Sequence, residues 1–332
     1  MAGRCTLEMI GIMDTGDCDA YFVILPSAPG DLVATRSLLA QICLKGRTTL
    51  ATRKALTPLI EDLPHQRVDH SFDWVFNDNP VPWTRQQKIR LFNKCMKTVL
   101  VDLFGSPALS EFIREYKLTA WGHDFSDCKN PYERCVPWRL MQHDRSHYAV
   151  RMLRLLPGFD NLTQWPDTIF EKSFFRRDGL KPNKMRLALM PGCGTAGAEK
   201  RMSKRFWINV AQYARSQGLT PVWFLGPDEQ DLEDSLVRTG DVLVTGEWSA
   251  SLLAHTECEC GIANDTSHVH VRVHLQRHTI VLYKRGEYEE WGSYPAYVIP
   301  IMPETANEEN FAIGAINAHI NHFVAVTKPN TI

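Results

Sequence analysis

Short apolar segments alternate with amphipathic segments along most of the chain, and this alternation constrains the fold more than any other feature of the sequence. Residues 21–26 (YFVILP) form an apolar run typical of a buried strand, and residues 32–44 follow with apolar positions at helical spacing. The pattern predicts further strands at 47–52, 68–76 and 98–103, and further helices at 53–63 and 84–96. Alternating strands and helices predict a parallel sheet covered on both faces.

The alternation stops once and then starts again. Charged residues, Gly and Pro replace the apolar pattern at 174–184, and a strand pattern returns at 185–190. A chain of 332 residues exceeds what one hydrophobic core usually serves. We therefore predict two doubly wound α/β domains, an N-terminal one over residues 1–178 and a C-terminal one over 179–332. Ligands of such folds bind in the crevice at the carboxyl ends of the strands.

The segment 124–173 departs from this pattern. It is rich in Trp, Pro, His and Arg, and it contains one predicted helix at 147–156. Irregular segments on an α/β scaffold commonly build binding sites. We predict that an acceptor molecule rests here.

Charge and apolar content exclude several classes of protein. Lys and Arg total 37 against 38 Asp and Glu, which gives no general attraction to nucleic acid. The nine cysteines include no C-x-x-C pair, so reduced thiols are favoured over a disulfide framework or a zinc site. No run of about 18 uncharged apolar residues is present, as a membrane span would need. These features predict a cytoplasmic protein with at most peripheral membrane contact.

Two predicted strand ends in the second half carry small or acidic residues. Pro191–Gly197 contains three glycines, among them Gly194, together with Thr195, and Lys200 follows closely. Backbone N–H groups of such a loop, with a helix start and a lysine nearby, suit an anion. A plain glycine turn fits the pattern equally well. Leu225–Glu229 is a second strand-end turn, in which Glu229 either reaches a ribose or is an ordinary acid in the first turn of a helix.

A third strand end is Asn264–His270, in which Asp265, Thr266 and Ser267 stand at a predicted helix start. Hydroxyl and N–H groups there suit phosphate, and the carboxylate suits sugar hydroxyls, although a simple N-cap explains the residues too. His270 and His274 share one helical face, but no third ligand is near in the sequence to complete a metal site.

In the first half, Gly30 and Asp31 end the loop that follows the first strand. A carboxylate at that point lies at the mouth of the crevice and suits a general base; an N-cap is the alternative. The Asp17–Asp19 triplet resembles a metal-binding D-x-D motif but precedes the first strand, so we interpret it as solvated chain.

Taken in order, these segments resemble glycosyltransferase family nine, the ADP-heptose lipopolysaccharide heptosyltransferases. The resemblance runs over residues 21–325. Its motifs are strand-small-Gly-Asp at 21–31, the Pro-Gly-small loop and following lysine at 191–203, and the segment from Asp265 to Val271. The family's Gly-x-x-x-Glu turn corresponds to 226–229, where this chain is one residue shorter. Met202, Ser203 and Ser267 stand where that family usually has Trp, Pro and Gly.

The resemblance implies a GT-B fold, which is two Rossmann-like domains facing each other across a cleft, and an inverting transfer without a metal or other cofactor. It implies that Asp31 is the catalytic base and that the nucleotide-sugar donor contacts Gly194, Thr195, Lys200, Glu229, Asp265, Thr266, Ser267 and His270. Heptose is the implied sugar, a saccharide or glycolipid the implied acceptor, and lipopolysaccharide or a related surface glycan the implied product. A nucleotide-sugar 2-epimerase and a non-catalytic nucleotide-sugar-binding relative are the alternatives.

Overall fold

The computed structural model of the chain describes residues 20–76, 82–124, 131–137, 146–176, 181–194, 197, 200–283, 294–302 and 309–327. Three interpretations made above, the Asp17–Asp19 triplet, the domain boundary at 178/179 and the role of Thr195, fall outside the described residues. No helix within the described residues is long and apolar enough to cross a membrane.

The strands form two separate six-stranded sheets, and within each sheet every pair of neighbouring strands is parallel. The first sheet has the order β3-β2-β1-β4-β5-β6 and the second the order β12-β11-β10-β7-β8-β9. If the strands of the second sheet are renumbered from β7 as strand 1, their order is 6-5-4-1-2-3. This is the order of the first sheet, 3-2-1-4-5-6, listed from the other edge. Both sheets therefore have the strand order of a Rossmann fold. The strands are β1 (Ala20–Ile24), β2 (Arg47–Ala51), β3 (Gln66–Asp69), β4 (Val99–Asp102), β5 (Ala120–Asp124), β6 (Arg134–Pro137), β7 (Asn183–Met190), β8 (Thr220–Phe224), β9 (Val242–Val244), β10 (Cys258–Asn264), β11 (His278–Leu282) and β12 (Val298–Ile301).

Helices connect the strands and cover the sheets, which confirms the predicted fold of two Rossmann-like domains. Apolar clusters lie on both faces of each sheet. The α-helices are α1 (Pro29–Ala34), α2 (Arg36–Lys45), α3 (Arg85–Cys95), α4 (Pro107–Tyr116), α5 (Tyr148–Leu153), α6 (Asp167–Glu171), α7 (Lys204–Ser216), α8 (Gln230–Leu236), α9 (Trp248–Glu257), α10 (Ser267–His274) and α11 (Glu309–Thr327).

Three segments differ from the prediction. The helix predicted at 32–44 is divided at Thr35 into α1 and α2. The segment predicted as a helix at 53–63 is a 3₁₀-helix at Lys54–Leu59, where Pro58 lacks the N–H that an α-helix needs. The strand predicted at 68–76 ends at Asp69, and 3₁₀-helix follows over His70–Phe76.

The two domains contact each other through helices on the cleft side. Helix α1 of the first domain packs against α10 of the second. A Cβ built on Gly30 would lie 3.4 Å from the Cβ of Ser267. Leu252, Val271 and Leu275 of the second domain also belong to the apolar cluster of the first. The two sides of the crevice are therefore held close together.

A second contact between the domains involves Arg36, which is fully buried. Its Nε donates to the Ser173 carbonyl at 2.9 Å, and Asp62 lies 3.1 Å from its NH2 group. The guanidinium carbon is 3.9 Å from the centre of the Phe175 ring, and the Phe175 N–H donates to the His274 carbonyl. The start of the segment 174–184, where the apolar sequence pattern stops, is therefore packed against both domains.

Candidate active site

A cleft of about 900 Å³ lies where the loops following β1, β7, β8, β9 and β10 meet. In a fold with this strand order, β1 and β4 of the first sheet, and β7 and β10 of the second, flank the positions where the strand order reverses, which is where such folds bind ligands. The described residues that the sequence predicted for the site all line this cleft: Asp31, Gly194, Lys200, Glu229, Asp265, Thr266, Ser267 and His270.

Lys200 and Asp265 come from different loops and form an ion pair. The Nζ of Lys200 lies 2.9 Å from Oδ2 of Asp265. The two side chains are 25% and 14% exposed, so both remain accessible from the cleft. The pair places a cation and a carboxylate side by side, as needed to bind a phosphate group next to sugar hydroxyls.

Glu229 connects the loop after β7 with the loop after β8 through hydrogen bonds. Its Oε1 accepts from the Gly194 N–H at 3.1 Å, its Oε2 from the Gly226 N–H at 2.7 Å, and Arg201 lies 3.5 Å away. Glu229 is only 5% exposed. These contacts engage both carboxylate oxygens and favour a loop-positioning role, whereas the ribose contact stays a prediction.

Gly192 makes room for this carboxylate, because a Cβ at residue 192 would lie 1.9 Å from the Glu229 carboxyl group. We expect Gly192→Ala to displace Glu229, to lower the free energy of unfolding by about 1–3 kcal/mol through the lost hydrogen bonds, and to weaken nucleotide binding. Thermal melting and calorimetric titration measure the two effects.

Gly314→Ala is the matched control for that substitution. Gly314 lies within α11, and a Cβ there would meet nothing within 4 Å. Alanine should raise the free energy of unfolding by about 0.5–1 kcal/mol, because it restricts the unfolded chain and suits a helix. A Gly192→Ala variant that melts and binds nucleotide like Gly314→Ala would contradict the positioning role of Glu229.

The start of α10 points its backbone into the cleft. Thr266 is the N-cap, in extended conformation, and its hydroxyl accepts no bond from the first turn of the helix. Ser267 is the first helical residue. The N–H groups and the dipole of a helix start attract an anion, so this feature adds to the positive charge of Lys200.

Asp31 lies across the cleft, on α1. The N-cap of α1 is Ala28, and Asp31 is the third residue of the helix, so the N-cap interpretation of Asp31 is wrong. Burial raises the pKa of Asp31 from 3.8 to about 6. At neutral pH this carboxylate is ionised and is a stronger base than an ordinary aspartate.

His270 lines the cleft, and its Cδ2 lies 3.7 Å from a Cβ built on Gly30. Burial lowers the pKa of His270, while the charge of Asp265 opposes the shift. The next histidine on this face, His274, is buried and donates from Nδ1 to the His270 carbonyl at 2.9 Å. Among the described residues, no three His, Cys, Asp or Glu side chains are grouped to hold a metal ion.

Several of the residues that line the cleft were not predicted from the sequence, among them Trp248, Val244 and His268. Trp248 lies on α9, and Val244 ends β9. His268 lies on α10 and bonds to His255 of α9. His268 falls within the motif segment 265–271, but the family resemblance gives it no role, and no motif covers Trp248 or Val244.

No protein-family model matches the chain, and no curated protein matches it. Solved structures do match over nearly the whole length. A glycosyl transferase family 9 protein from Veillonella parvula is 17% identical, with a TM-score of 0.63 and 90% of each chain covered.

Two further matches come from E. coli. Heptosyltransferase WaaC with ADP is 14% identical, with a TM-score of 0.66, covering 92% of this chain and 99% of that one. ADP-heptose lps heptosyltransferase II is 13% identical, with a TM-score of 0.69, covering 92% of this chain and 98% of that one. At these identities the likeness is one of fold, and it confirms the GT-B architecture of two Rossmann-like domains.

Proposed function

We propose that this chain is an inverting glycosyltransferase, which transfers a sugar from a nucleotide-diphosphate donor to a hydroxyl group of a saccharide or glycolipid acceptor. The observation that carries the proposal is the cleft itself. Lys200, Asp265 and the start of α10 line one side of it, and the carboxylate of Asp31 lines the other. A cationic site for a leaving diphosphate thus faces a base of raised pKa.

In the proposed reaction, Asp31 removes the proton from the acceptor hydroxyl as that oxygen attacks the anomeric carbon. The bond between the anomeric carbon and the diphosphate oxygen breaks, and its electron pair stays on the diphosphate. Attack from the face opposite the leaving group inverts the configuration at that carbon.

Negative charge grows on the diphosphate as the bond breaks. The Nζ of Lys200, the hydroxyl of Thr266 and the N–H groups of the α10 start are the donors that would receive it. Preorganised donors of this kind contribute about 3 kcal/mol each in favourable cases. Asp265 would hold the hydroxyl groups of the transferred sugar, with His270 beside it.

The finer assignment follows the family resemblance. We propose heptose as the sugar, ADP as the carrier, and lipopolysaccharide or a related surface glycan as the product, made at the cytoplasmic side of a membrane. The structures of similar fold support it, since two are heptosyltransferases by name and one was solved with ADP.

The test begins with a thermal-shift panel of nucleoside diphosphates and nucleotide sugars. A ligand at 100 times its dissociation constant should add about 2.7 kcal/mol to the stability. The best donor is then incubated with and without saccharide acceptors, and the products are identified by mass spectrometry. Transfer only with an acceptor supports the proposal. Release of free nucleotide and an epimerised sugar from the donor alone would support the epimerase instead, and binding without any turnover would support a non-catalytic protein.

The raised pKa of Asp31 predicts a pH dependence. The base acts only when ionised, so kcat/KM should fall about tenfold per pH unit below pH 6 and should level off above it. Initial rates between pH 4.5 and 8 measure this limb. An inflection near pH 4, the ordinary range of an aspartate, would contradict the assignment.

Activity should also persist in a chelator. Lys200 and the α10 start carry the positive charge that a metal ion supplies in other transferases, so EDTA should change kcat by less than twofold. A loss of activity in EDTA that Mg²⁺ or Mn²⁺ restores would contradict the metal-free reaction.

A further inference from the structure

Two histidines form a hydrogen-bonded pair in the wall of the cleft. Nε2 of His255 lies 2.9 Å from Nδ1 of His268. The His255 ring is fully buried and stacks on Phe224, with centroids 3.8 Å apart and planes inclined by 3°. His268 is half-buried, lines the cleft and lies 5.0 Å from the Trp248 ring. The proposed reaction assigns no task to either histidine.

Both rings are neutral at neutral pH. Burial, together with the charge of Arg272, lowers the pKa of His268 to about 4. Burial also lowers the pKa of His255 well below its ordinary value. A neutral imidazole carries one N–H and one acceptor nitrogen, so the position of each proton decides what the ring can bind.

The surroundings of His255 decide those positions. Its Nδ1 is buried and has no hydrogen-bond partner among the described residues. Buried N–H groups without a partner are rarer than buried acceptors without one, so the proton belongs on Nε2. The Nε2–H of His255 then donates to Nδ1 of His268, and His268 must carry its own proton on Nε2.

That N–H is directed away from His255, because Nδ1 and Nε2 lie on different sides of the ring. His268 is the second residue of α10, in the same first turn that presents backbone N–H groups to an anion. Its side chain lines the same cleft as Lys200 and Asp265. A neutral donor in this place has a charged diphosphate as its strongest acceptor.

We propose that His268 is a donor-binding residue whose Nε2–H binds the diphosphate of the nucleotide sugar, and that His255 is a positioning residue that holds His268 in this tautomer. The inference rests on the proposed function, and it adds a recognition element that the sequence motifs do not contain.

Calorimetric titration with the best-binding nucleoside diphosphate tests the role of His268. His268→Phe should weaken binding about 10- to 100-fold, the effect of losing one hydrogen bond to a charged group. Binding of the corresponding nucleoside, followed by ligand-observed NMR, should stay within twofold. His268→Gln keeps an N–H near the position of Nε2 and should lose less affinity than His268→Phe. Equal affinities of all three proteins would overturn the inference.

His255→Phe tests the positioning role, because it keeps an aromatic ring on Phe224 and removes only the donor to His268. It should weaken diphosphate binding several-fold, and the double variant with His268→Phe should bind no more weakly than His268→Phe alone. Additive losses would overturn the pairing.

A spectroscopic readout on the unmodified protein covers the case in which a variant fails to fold. With ¹⁵N-histidine labelling, two-bond couplings from ring protons identify which nitrogen is protonated. Both rings should be in the Nε2–H form, and the Nε2 signal of His268, assigned with His268→Gln, should shift when nucleoside diphosphate is added. A proton on Nδ1 of His268, or an unmoved signal, would overturn the inference while leaving the transferase proposal intact. A protein that binds no nucleoside diphosphate would overturn both.

Discussion

Replacing Asp31 by Asn is expected to lower kcat about 100- to 10,000-fold, the usual contribution of a general base. The asparagine amide has nearly the shape of the carboxylate, but it cannot remove the proton from the hydroxyl group of the acceptor substrate. Asp31 lies on α1, across the cleft from the donor loops, so the dissociation constant for the nucleotide sugar should change by less than about twofold. Steady-state kinetics and calorimetric titration separate the two quantities.

Asp73→Asn is the matched control, since Asp73 is an exposed aspartate of the same domain and does not line the cleft. It should leave kcat within twofold. Unchanged turnover in Asp31→Asn would exclude Asp31 as the base. If Asp31→Asn lowers both kcat and the affinity for the nucleotide sugar, Asp31 would instead be a residue that binds the sugar.

Replacing Lys200 by Ala should give the second largest effect, a fall of about 100- to 1000-fold in kcat/KM. The ammonium group would stabilise charge that develops on the leaving diphosphate, so the loss should exceed the loss in affinity for the nucleoside diphosphate. The substitution also removes the partner of Asp265, 2.9 Å away. Initial rates at low donor concentration measure kcat/KM directly.

Lys204→Ala is the control for charge alone. Lys204 is 49% exposed and pairs with Asp231 at 3.2 Å, outside the cleft. An equal fall in kcat/KM in both variants would attribute the effect to net charge. A Lys200→Ala protein with normal kcat/KM would remove Lys200 from the mechanism.

Most of the fold could be predicted from the sequence because the central strands, such as β1, β4 and β10, are largely buried and are bounded by helical patterns. The helix α7, Lys204–Ser216, carries local sequence signals at both of its ends. Its serine N-cap accepts from the Phe206 N–H, and Gly218 follows its end. Local signals of this kind do not depend on the rest of the chain.

The errors occurred where an apolar run fits more than one structure. Phe72, Val75 and Phe76 are buried, but they lie in a 3₁₀-helix that follows β3 rather than in the strand itself. The strands β5, β6 and β12 and the helices α4 and α6 were not predicted at all. β12 has four residues and α6 five, so each is too short for a periodic pattern to show.

The candidate site was predictable to the extent that its residues follow strands directly. Asp31, Lys200 and Asp265 lie in one cleft because the carboxyl ends of parallel strands meet at one edge of each sheet. The pairing of His255 with His268 was not predictable, since it depends on how closely α9 approaches α10. The engagement of Glu229 with Gly194 and Gly226 likewise depends on two loops meeting.

The buried contacts of Arg36 with Ser173, Asp62 and Phe175 affect how the two domains are aligned. They fasten Ser173 and Phe175, which precede the second sheet, onto the first domain, and none of these residues lines the cleft. An error of about 1 Å in the approach of two reacting atoms lowers a rate about 100-fold. Alignment across the cleft is therefore set in part by a buried cation remote from any substrate. Searches for residues that govern the rate of the proposed reaction should therefore include Arg36 and its contacts. Replacing one of these side chains would change the angle between the two domains.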